Sequence, residues 1–219
     1  MEKEKKMKIG LFLGSFDPIH IGHINIASCV LNSGLCDKVL FVVAKRNPWK
    51  KYEPAPYDVR CQMIEASIRG FNGRCEVCKF EAESQEEVVY SYIPINMALE
   101  RYPNDEIYVI AGEDTIRKIP NWKNFETHIK DKVTFIEISR GETKSFNPTK
   151  DLLIGTKYPF RKWMDWNDKL ATHEYLKIQT QRMDVSSTMI RYMVAEGMNP
   201  FPYVNEEVCD IIKRNNLYK

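Results

Sequence analysis

Gly10-Leu11-Phe12-Leu13-Gly14-Ser15-Phe16-Asp17-Pro18-Ile19-His20-Ile21-Gly22-His23 is the stretch whose reading decides how this chain folds. Lys8 to Leu13 is short, almost wholly apolar and followed by glycine, which predicts a strand buried on both faces. Gly14 opens a tight turn, and Asp17-Pro18 keeps the backbone out of helix until it has passed. From Gly22 onward Ile24, Ile26, Ala27, Val30 and Leu31 recur at helical spacing. Two of the chain's four histidines therefore fall where a strand hands over to a helix. Open parallel sheets bind ligands at that junction, where bare N–H groups and the helix dipole attract phosphate. Gly22 removes a Cβ where a phosphate needs room, and imidazole can donate a hydrogen bond to a phosphoryl oxygen. Histidines that merely cap or pack the turn are the bland alternative, and the strand–glycine–turn–helix context argues against it.

Downstream, Lys38–Val43 reads as a second buried strand, after Asn32-Ser33-Gly34 has ended the first helix. Ala44 to Pro56 is basic and stiffened by proline, at the carboxyl end of that strand where ligands bind. A helix is expected over Tyr57–Arg69, a third strand over Arg74–Phe80, and an acidic loop over Glu81–Glu87. Val88–Tyr102 predicts a helix that starts late or kinks because of Pro94. Glu106–Ala111 and Val133–Ile138 are further strands, the first followed by the glycine turn Gly112-Glu113-Asp114 and a short helix. Strand alternating with helix predicts an α/β, doubly wound (Rossmann-like) parallel sheet. Residues 141–172 carry no clear periodicity and read as an irregular insertion, after which Tyr175–Thr180 alternates as a strand that completes the sheet.

Near the end stands Val185-Ser186-Ser187-Thr188-Met189-Ile190-Arg191. Hydroxyl residues ahead of an apolar periodic run are helix N-cap chemistry, and capping alone would explain them. Arg191, one turn further, adds a guanidinium that could share one anion with the hydroxyls and bare N–H groups. A last helix is expected over Asn205–Asn215.

These two stretches resemble the paired signatures of the nucleotidyltransferase superfamily. The first matches Gly-[Ser/Thr]-Phe-Asp-Pro-x-His-x-Gly-His at every fixed position, and the second matches Ile-Ser-[Ser/Ala]-Thr-x-[Ile/Val]-Arg with Val185 for Ile. Such enzymes pass a nucleoside monophosphate from a triphosphate to a phosphate acceptor and release pyrophosphate. The interior is similar to nicotinate-nucleotide adenylyltransferases over nearly the whole chain, which implies one nucleotidyltransferase domain over residues 1–219 with C-terminal helices. Ile110-Ala111-Gly112-Glu113-Asp114 followed by Ile119-Pro120-Asn121-Trp122 resembles that family's Gly-x-Asp…Pro-x-Trp segment. The resemblance places Asp114 near the nucleotide sugars and Trp122 against the pyridine ring, a sensible use of an indole. Tyr90-Ser91 resembles a Tyr-Thr pair beside the nicotinate, Ser139-Arg140-Gly141 an Arg-Pro-Gly, and Ile211–Tyr218 the usual tail. The loop after the second strand departs: Ala44 and Asn47-Pro48-Trp49-Lys50 stand where the family has Asn and then Pro-His-Lys. That change bears on the acceptor, not on the transfer chemistry.

The resemblance implies adenylyl transfer from ATP to nicotinate mononucleotide by direct in-line attack. His20, His23 and Arg191 would be the catalytic residues. Gly14, Ser15, Phe16, Gly112, Asp114, Ser186, Ser187 and Thr188 would complete the ATP site, and Ser91, Trp122, Lys50 and Arg140 would meet the acceptor. Mg²⁺ would arrive with ATP, with no dedicated protein metal site. Nicotinamide mononucleotide or both mononucleotides as acceptor, another nucleotidyl transfer, and a non-catalytic nucleotide sensor are the alternatives.

Composition fits that reading. At 219 residues with 43% hydrophobic and 28% charged residues, the chain can bury one sizeable core. A net charge of +2 gives no electrostatic case for nucleic acid. No apolar run approaches a membrane span or a signal core, so a cytoplasmic protein without a membrane partner is expected. Oligomeric state is left open, a homo-oligomer included. Cys75-Glu76-Val77-Cys78 lies on what reads as an exposed strand without a second ligand pair, so ordinary reduced thiols are expected. Met1–Lys6 reads as a solvated, frayed tail.

Overall fold

The computed structural model describes residues 6–45, 52–86, 88–140, 163–164, 170–171, 175–180 and 183–219. Lys50 and nearly all of the insertion over 141–172 lie outside the described residues. Six strands form one sheet: β1 (Lys8–Gly14), β2 (Lys38–Val43), β3 (Cys75–Cys78), β4 (Glu106–Gly112), β5 (Thr134–Arg140) and β8 (Tyr175–Thr180). Their order is β3-β2-β1-β4-β5-β8 and every pairing is parallel. A separate antiparallel pair is made by β6 (Trp163–Met164) and β7 (Leu170–Ala171). The chain leaves β1 toward β2 on one side and enters β4 on the other, so the strand order reverses between β1 and β4. That is the switch point where open sheets accept ligands.

Alternation along the central strands divides the core into two layers. Val39, Phe41 and Val43 of β2 join one cluster while Leu40 and Val42 join the other. The first layer packs under α1 (Ile21–Asn32) and α2 (Tyr57–Ile68), together with the C-terminal helices α6 (Ser187–Ala195) and α7 (Glu206–Arg214). The second packs under α4 (Tyr92–Arg101), the short α5 (Glu113–Ile116) and a π-helical turn over Phe125–Ile129. Gly10 is required at the middle of β1 by close approach. A Cβ there would lie 2.8 Å from Ile110 Cδ1 and 2.9 Å from Cys36 Sγ.

Most elements fall where the sequence places them, with three corrections. The third strand is shorter than Arg74–Phe80, and the stretch expected as an acidic loop begins as the short helix α3 (Phe80–Glu83). Phe80 and Glu81 are both buried, 0% and 5% exposed, so tertiary partners override the local charge. The Cys75/Cys78 strand lies at the sheet edge, yet both thiols are buried. They also sit in opposite core layers, as an odd spacing on a strand requires, and so cannot share a metal or form a disulfide. Burial pushes both thiols up, Cys75 to about 12 and Cys78 to about 11. The helix within Val88–Tyr102 starts late, as Pro94 requires: it begins at Tyr92, with Pro94 in its first turn where a missing N–H costs nothing.

Candidate active site

Register brings the two strand-ending glycines level. Phe12 pairs with Ile110, so Gly14 and Gly112, two residues further on each strand, flank the switch point. Gly14 has to be glycine because the Phe16 ring folds back over it, 2.8 Å from where a Cβ would stand. Phe16 takes a positive φ of 47° and is 2% exposed, packed edge-on to Phe12, Phe41 and His23. Ser15 lies between them at the mouth of the turn.

His20 is the N-cap of α1. Its Nδ1 accepts from the Gly22 N–H at 3.2 Å, and His23 Nδ1 accepts from the His20 N–H at 3.3 Å. This is a capping box built from imidazoles instead of hydroxyl and carboxylate. An Nδ1 that accepts places the proton of a neutral ring on Nε2, so both rings are set as Nε2–H donors. The rings stack with centroids 3.7 Å apart. Capping uses only one nitrogen of each ring, so it does not exclude a second role for the other.

One expectation about this turn is extended and one corrected. A Cβ on Gly22 would meet the His20 ring at 3.0 Å and Val185 Cγ1 at 3.2 Å, so the glycine, which lines the cavity described below, also makes room for the imidazole. The first-turn amides of α1 are also engaged by protein: Ile21 N–H donates to the Tyr203 carbonyl at 2.9 Å, and His23 N–H to the His20 carbonyl at 2.9 Å. The start of α1 is therefore not a bare helix end.

Opposite stands the start of α6. Ser186 caps it, accepting from Met189 N–H at 3.1 Å. Ser187 Oγ donates to the Pro18 carbonyl at 2.9 Å, which ties the second signature to the first. Its proton is spent there, so the backbone amides of Ser187 and Thr188, which no helix residue can satisfy, are the better anion donors. Arg191 Nη2 donates to Thr188 Oγ1 at 3.1 Å and Nη1 to the Asp17 carbonyl at 2.8 Å, with the guanidinium 4.3 Å above the Tyr52 ring. Its bonds go to neutral oxygens, so its charge is not cancelled by them. Between α1 and α6 lies a cavity of about 250 Å³, lined by His20, His23, Asn25, Thr180, Ser186 and Ser187 among others. Nothing in the sequence singles out Asn25 or Thr180. Asn25 faces the cavity just after the capping box, and Thr180 ends β8 at the sheet's carboxyl edge.

The residues expected at the acceptor belong to the other layer. Trp122 is half-buried against the second core cluster, its main-chain N–H donating to the Ile119 carbonyl at 2.9 Å. Ser91 is the N-cap of α4, and its side chain makes no capping bond. The two segments meet through Lys123, whose Nζ lies 4.3 Å over the Tyr90 ring. Gly112 and Asp114 are exposed at the end of β4 and in α5. The Arg140 backbone ends β5, while its side chain and Lys50 lie outside the described residues.

A further residue organises the floor of the site. Arg60 on α2 is 1% exposed and donates to four main-chain carbonyls: Ser15 at 2.7 Å, Ala44 at 2.8 Å, Lys45 at 3.2 Å and Ala55 at 2.8 Å. It therefore holds the first turn and both ends of the basic loop. Nothing in a charged residue on a predicted helix signals this. Beside it Glu81 accepts from Lys45 N–H at 2.7 Å. Burial raises the Glu81 carboxyl from 4.5 to about 7, against the lowering effects of that hydrogen bond and of Arg60. The folded state thus binds this proton more tightly than the unfolded chain. Its stabilising contribution is present below the ordinary carboxyl range and is lost as pH rises through about 7. Between about pH 5 and pH 8 the unfolding free energy should fall by on the order of 2–3 kcal/mol from this group. Urea titrations at both values check it, and Glu81→Gln should flatten the slope.

Comparison with known proteins gives the family. Residues 11–193 match the cytidylyltransferase-like family model. Among curated relatives, a protein of Methylacidiphilum infernorum named "Probable nicotinate-nucleotide adenylyltransferase" is 30% identical over 100% of this chain and 95% of its own length. One of the same name from Endomicrobium trichonymphae is 30% identical over 97% and 99%. The solved structure of Plasmodium falciparum nicotinic acid mononucleotide adenylyltransferase complexed with NaAD superposes with a TM-score of 0.70 over 97% of each chain, at 21% identity, which shows a shared fold. The chain is therefore a nucleotidyltransferase of the cytidylyltransferase-like group and belongs to the nicotinate-nucleotide adenylyltransferase family.

Proposed function

We propose that this chain transfers the adenylyl group of MgATP to nicotinate mononucleotide, giving nicotinate adenine dinucleotide and pyrophosphate. The observation that carries the reading is the pair of stacked imidazoles, both set as Nε2–H donors, facing the start of α6 across one cavity. An acceptor 5′-phosphate oxygen attacks the α-phosphorus in line. A new P–O bond forms as the bond from the α-phosphorus to the pyrophosphate oxygen breaks, and the electron pair leaves with pyrophosphate. The attacking phosphate is already an anion, so no covalent enzyme intermediate is required. Catalysis is positioning and stabilisation of charge.

His20 and His23 donate to the α-phosphoryl oxygens, where charge builds. Arg191 adds a positive charge beside the departing pyrophosphate. Main-chain amides of Ser187 and Thr188, with the turn at Gly14, Ser15 and Phe16, cradle the phosphates, while Gly112 and Asp114 face the sugars. Among the described residues no group of three or more His, Cys, Asp or Glu could hold a metal. Mg²⁺ would enter with the triphosphate, held mostly by phosphate oxygens and water, and would neutralise phosphate charge there. We place the whole chain in one catalytic domain, with the 141–172 segment as an insertion. Among the described residues no helix is long and apolar enough to cross a membrane.

Acid over amide at the pyridine ring follows from the cation beside the acceptor segments. Lys123 over Tyr90, with Ser91 next in the chain, offers donors and positive charge to a carboxylate. An amide NH₂ would face those donors unpaired, a mismatch of about 1–3 kcal/mol. We expect kcat/KM for nicotinate mononucleotide to exceed that for nicotinamide mononucleotide by about tenfold or more at equal salt. Equal values, or preference for the amide, would move the chain to the nicotinamide or dual-specificity reading and leave the transfer mechanism standing.

A further inference from the structure

Far along the chain from the first signature, Tyr218 reaches back to it. Tyr218 Oη donates to Asp17 Oδ1 at 2.7 Å, and the same oxygen accepts from Ala55 N–H at 3.1 Å. Asp17 is 1% exposed, and its own main-chain carbonyl is the one that receives Arg191 Nη1 at 2.8 Å. The tail is bent to make this contact. Tyr218 has a positive φ of 60°, and the residue before it is held by Leu217 N–H donating to the Ile212 carbonyl at 3.1 Å, with the Leu217 side chain in the core. Burial, with the Asp17 carboxylate beside it, pushes the Tyr218 phenol far up, so it stays protonated and keeps donating across the neutral range.

We infer that Tyr218 is a positioning residue for the reaction, acting through Asp17 to aim Arg191. Two donors on Oδ1 pin that oxygen in the buried Asp17 side chain and so help to hold the main chain that carries it. The carbonyl that anchors one arm of the guanidinium then points one way only. Thr188 Oγ1 anchors the other arm and the Tyr52 ring supports the flat face. The guanidinium keeps its remaining N–H groups for an anion in a single orientation. The same carboxylate joins the tail, the first turn and the far end of the basic loop at Ala55. An error of about 1 Å in such a group costs rate more than binding.

This inference rests on Arg191 serving the departing pyrophosphate, and its test separates the two. In the full chain, Tyr218→Phe keeps the ring in place and removes only the hydroxyl. We expect kcat to fall about tenfold with the ATP KM changed less than about twofold, because the loss is confined to the transition state. In an Arg191→Lys background the same substitution should cost nothing further. Asp17→Asn, which keeps a carbonyl oxygen for both donors, should retain most of the rate that Asp17→Ala loses. Equal losses in both backgrounds, an unchanged kcat in Tyr218→Phe, or Asp17→Asn as damaging as Asp17→Ala would overturn the inference. A second readout needs no turnover. The Arg191 guanidinium ¹H–¹⁵N signals should shift in Tyr218→Phe, and unchanged signals would overturn the inference even if the wild-type chain proved to use another acceptor.

Discussion

Replacing His23 with alanine should lower kcat by on the order of 10²–10³, while affinity for ATP falls much less. The ring is a preorganised donor: its Nδ1 is held by the His20 N–H, and its faces pack against Phe16 and the His20 ring. Alanine removes the ring that the proposed mechanism uses as a donor and the partner of the His20 backbone amide together. Binding should survive because the proposed phosphate cradle is mostly backbone of the Gly14–Phe16 turn and of α6. Asparagine at position 23 would restore a local hydrogen bond to the cap but not the reach of the imidazole, so its kcat should stay low. Steady-state kinetics with ATP varied at saturating acceptor check this. A drop of less than tenfold would make His23 a packing and capping residue only.

Arg60 gives the second large effect, and it is one of stability. Substituting Arg60 by Met fills similar volume but leaves the Ser15, Ala44, Lys45 and Ala55 carbonyls without the donor they share. It also removes the cation next to the buried Glu81. We expect a loss of about 3–5 kcal/mol, read as a lower urea midpoint at unchanged slope. Arg60→Lys recovers only part of it, because a single ammonium cannot replace a planar fork that serves four carbonyls. A change below about 1 kcal/mol would mean that water replaces the guanidinium without cost, and that the two turns do not need it.

What could be read from the chain divides by range. The strand–turn–helix at residues 8–32 and the Ser186 cap of α6 are legible because their causes are local: glycine, Asp-Pro, hydroxyl caps and helical spacing. The sheet's parallel order follows from strand–helix alternation, and the switch point follows from that order. The failures have long-range causes. Glu81 lies in an acidic run that reads as solvated loop, yet it is buried because Lys45 N–H waits for it. The helix start at this junction reads as carrying bare N–H groups, but the Tyr203 carbonyl, far along the chain, takes that of Ile21. Gly22 looks like clearance for a ligand alone, and it is clearance for the His20 ring as well. Arg60 and Tyr218 carry no local pattern at all, because each acts on backbone or carboxylate brought to it by the fold. The acceptor side is the least legible, since Lys123 meets the Tyr90 ring only once the fold brings the two segments together.

Adenylyl transfer is the central claim, and it can be measured directly. The purified protein, incubated with MgATP and nicotinate mononucleotide, should release pyrophosphate and form nicotinate adenine dinucleotide in equal amounts, followed by coupled pyrophosphate detection and chromatography of the dinucleotide. Turnover that needs both substrates, and is abolished when either is omitted, is the expected result. No pyrophosphate from ATP with nicotinate or nicotinamide mononucleotide would contradict it, and would leave the paired histidines and Arg191 as a nucleotide-binding site without chemistry.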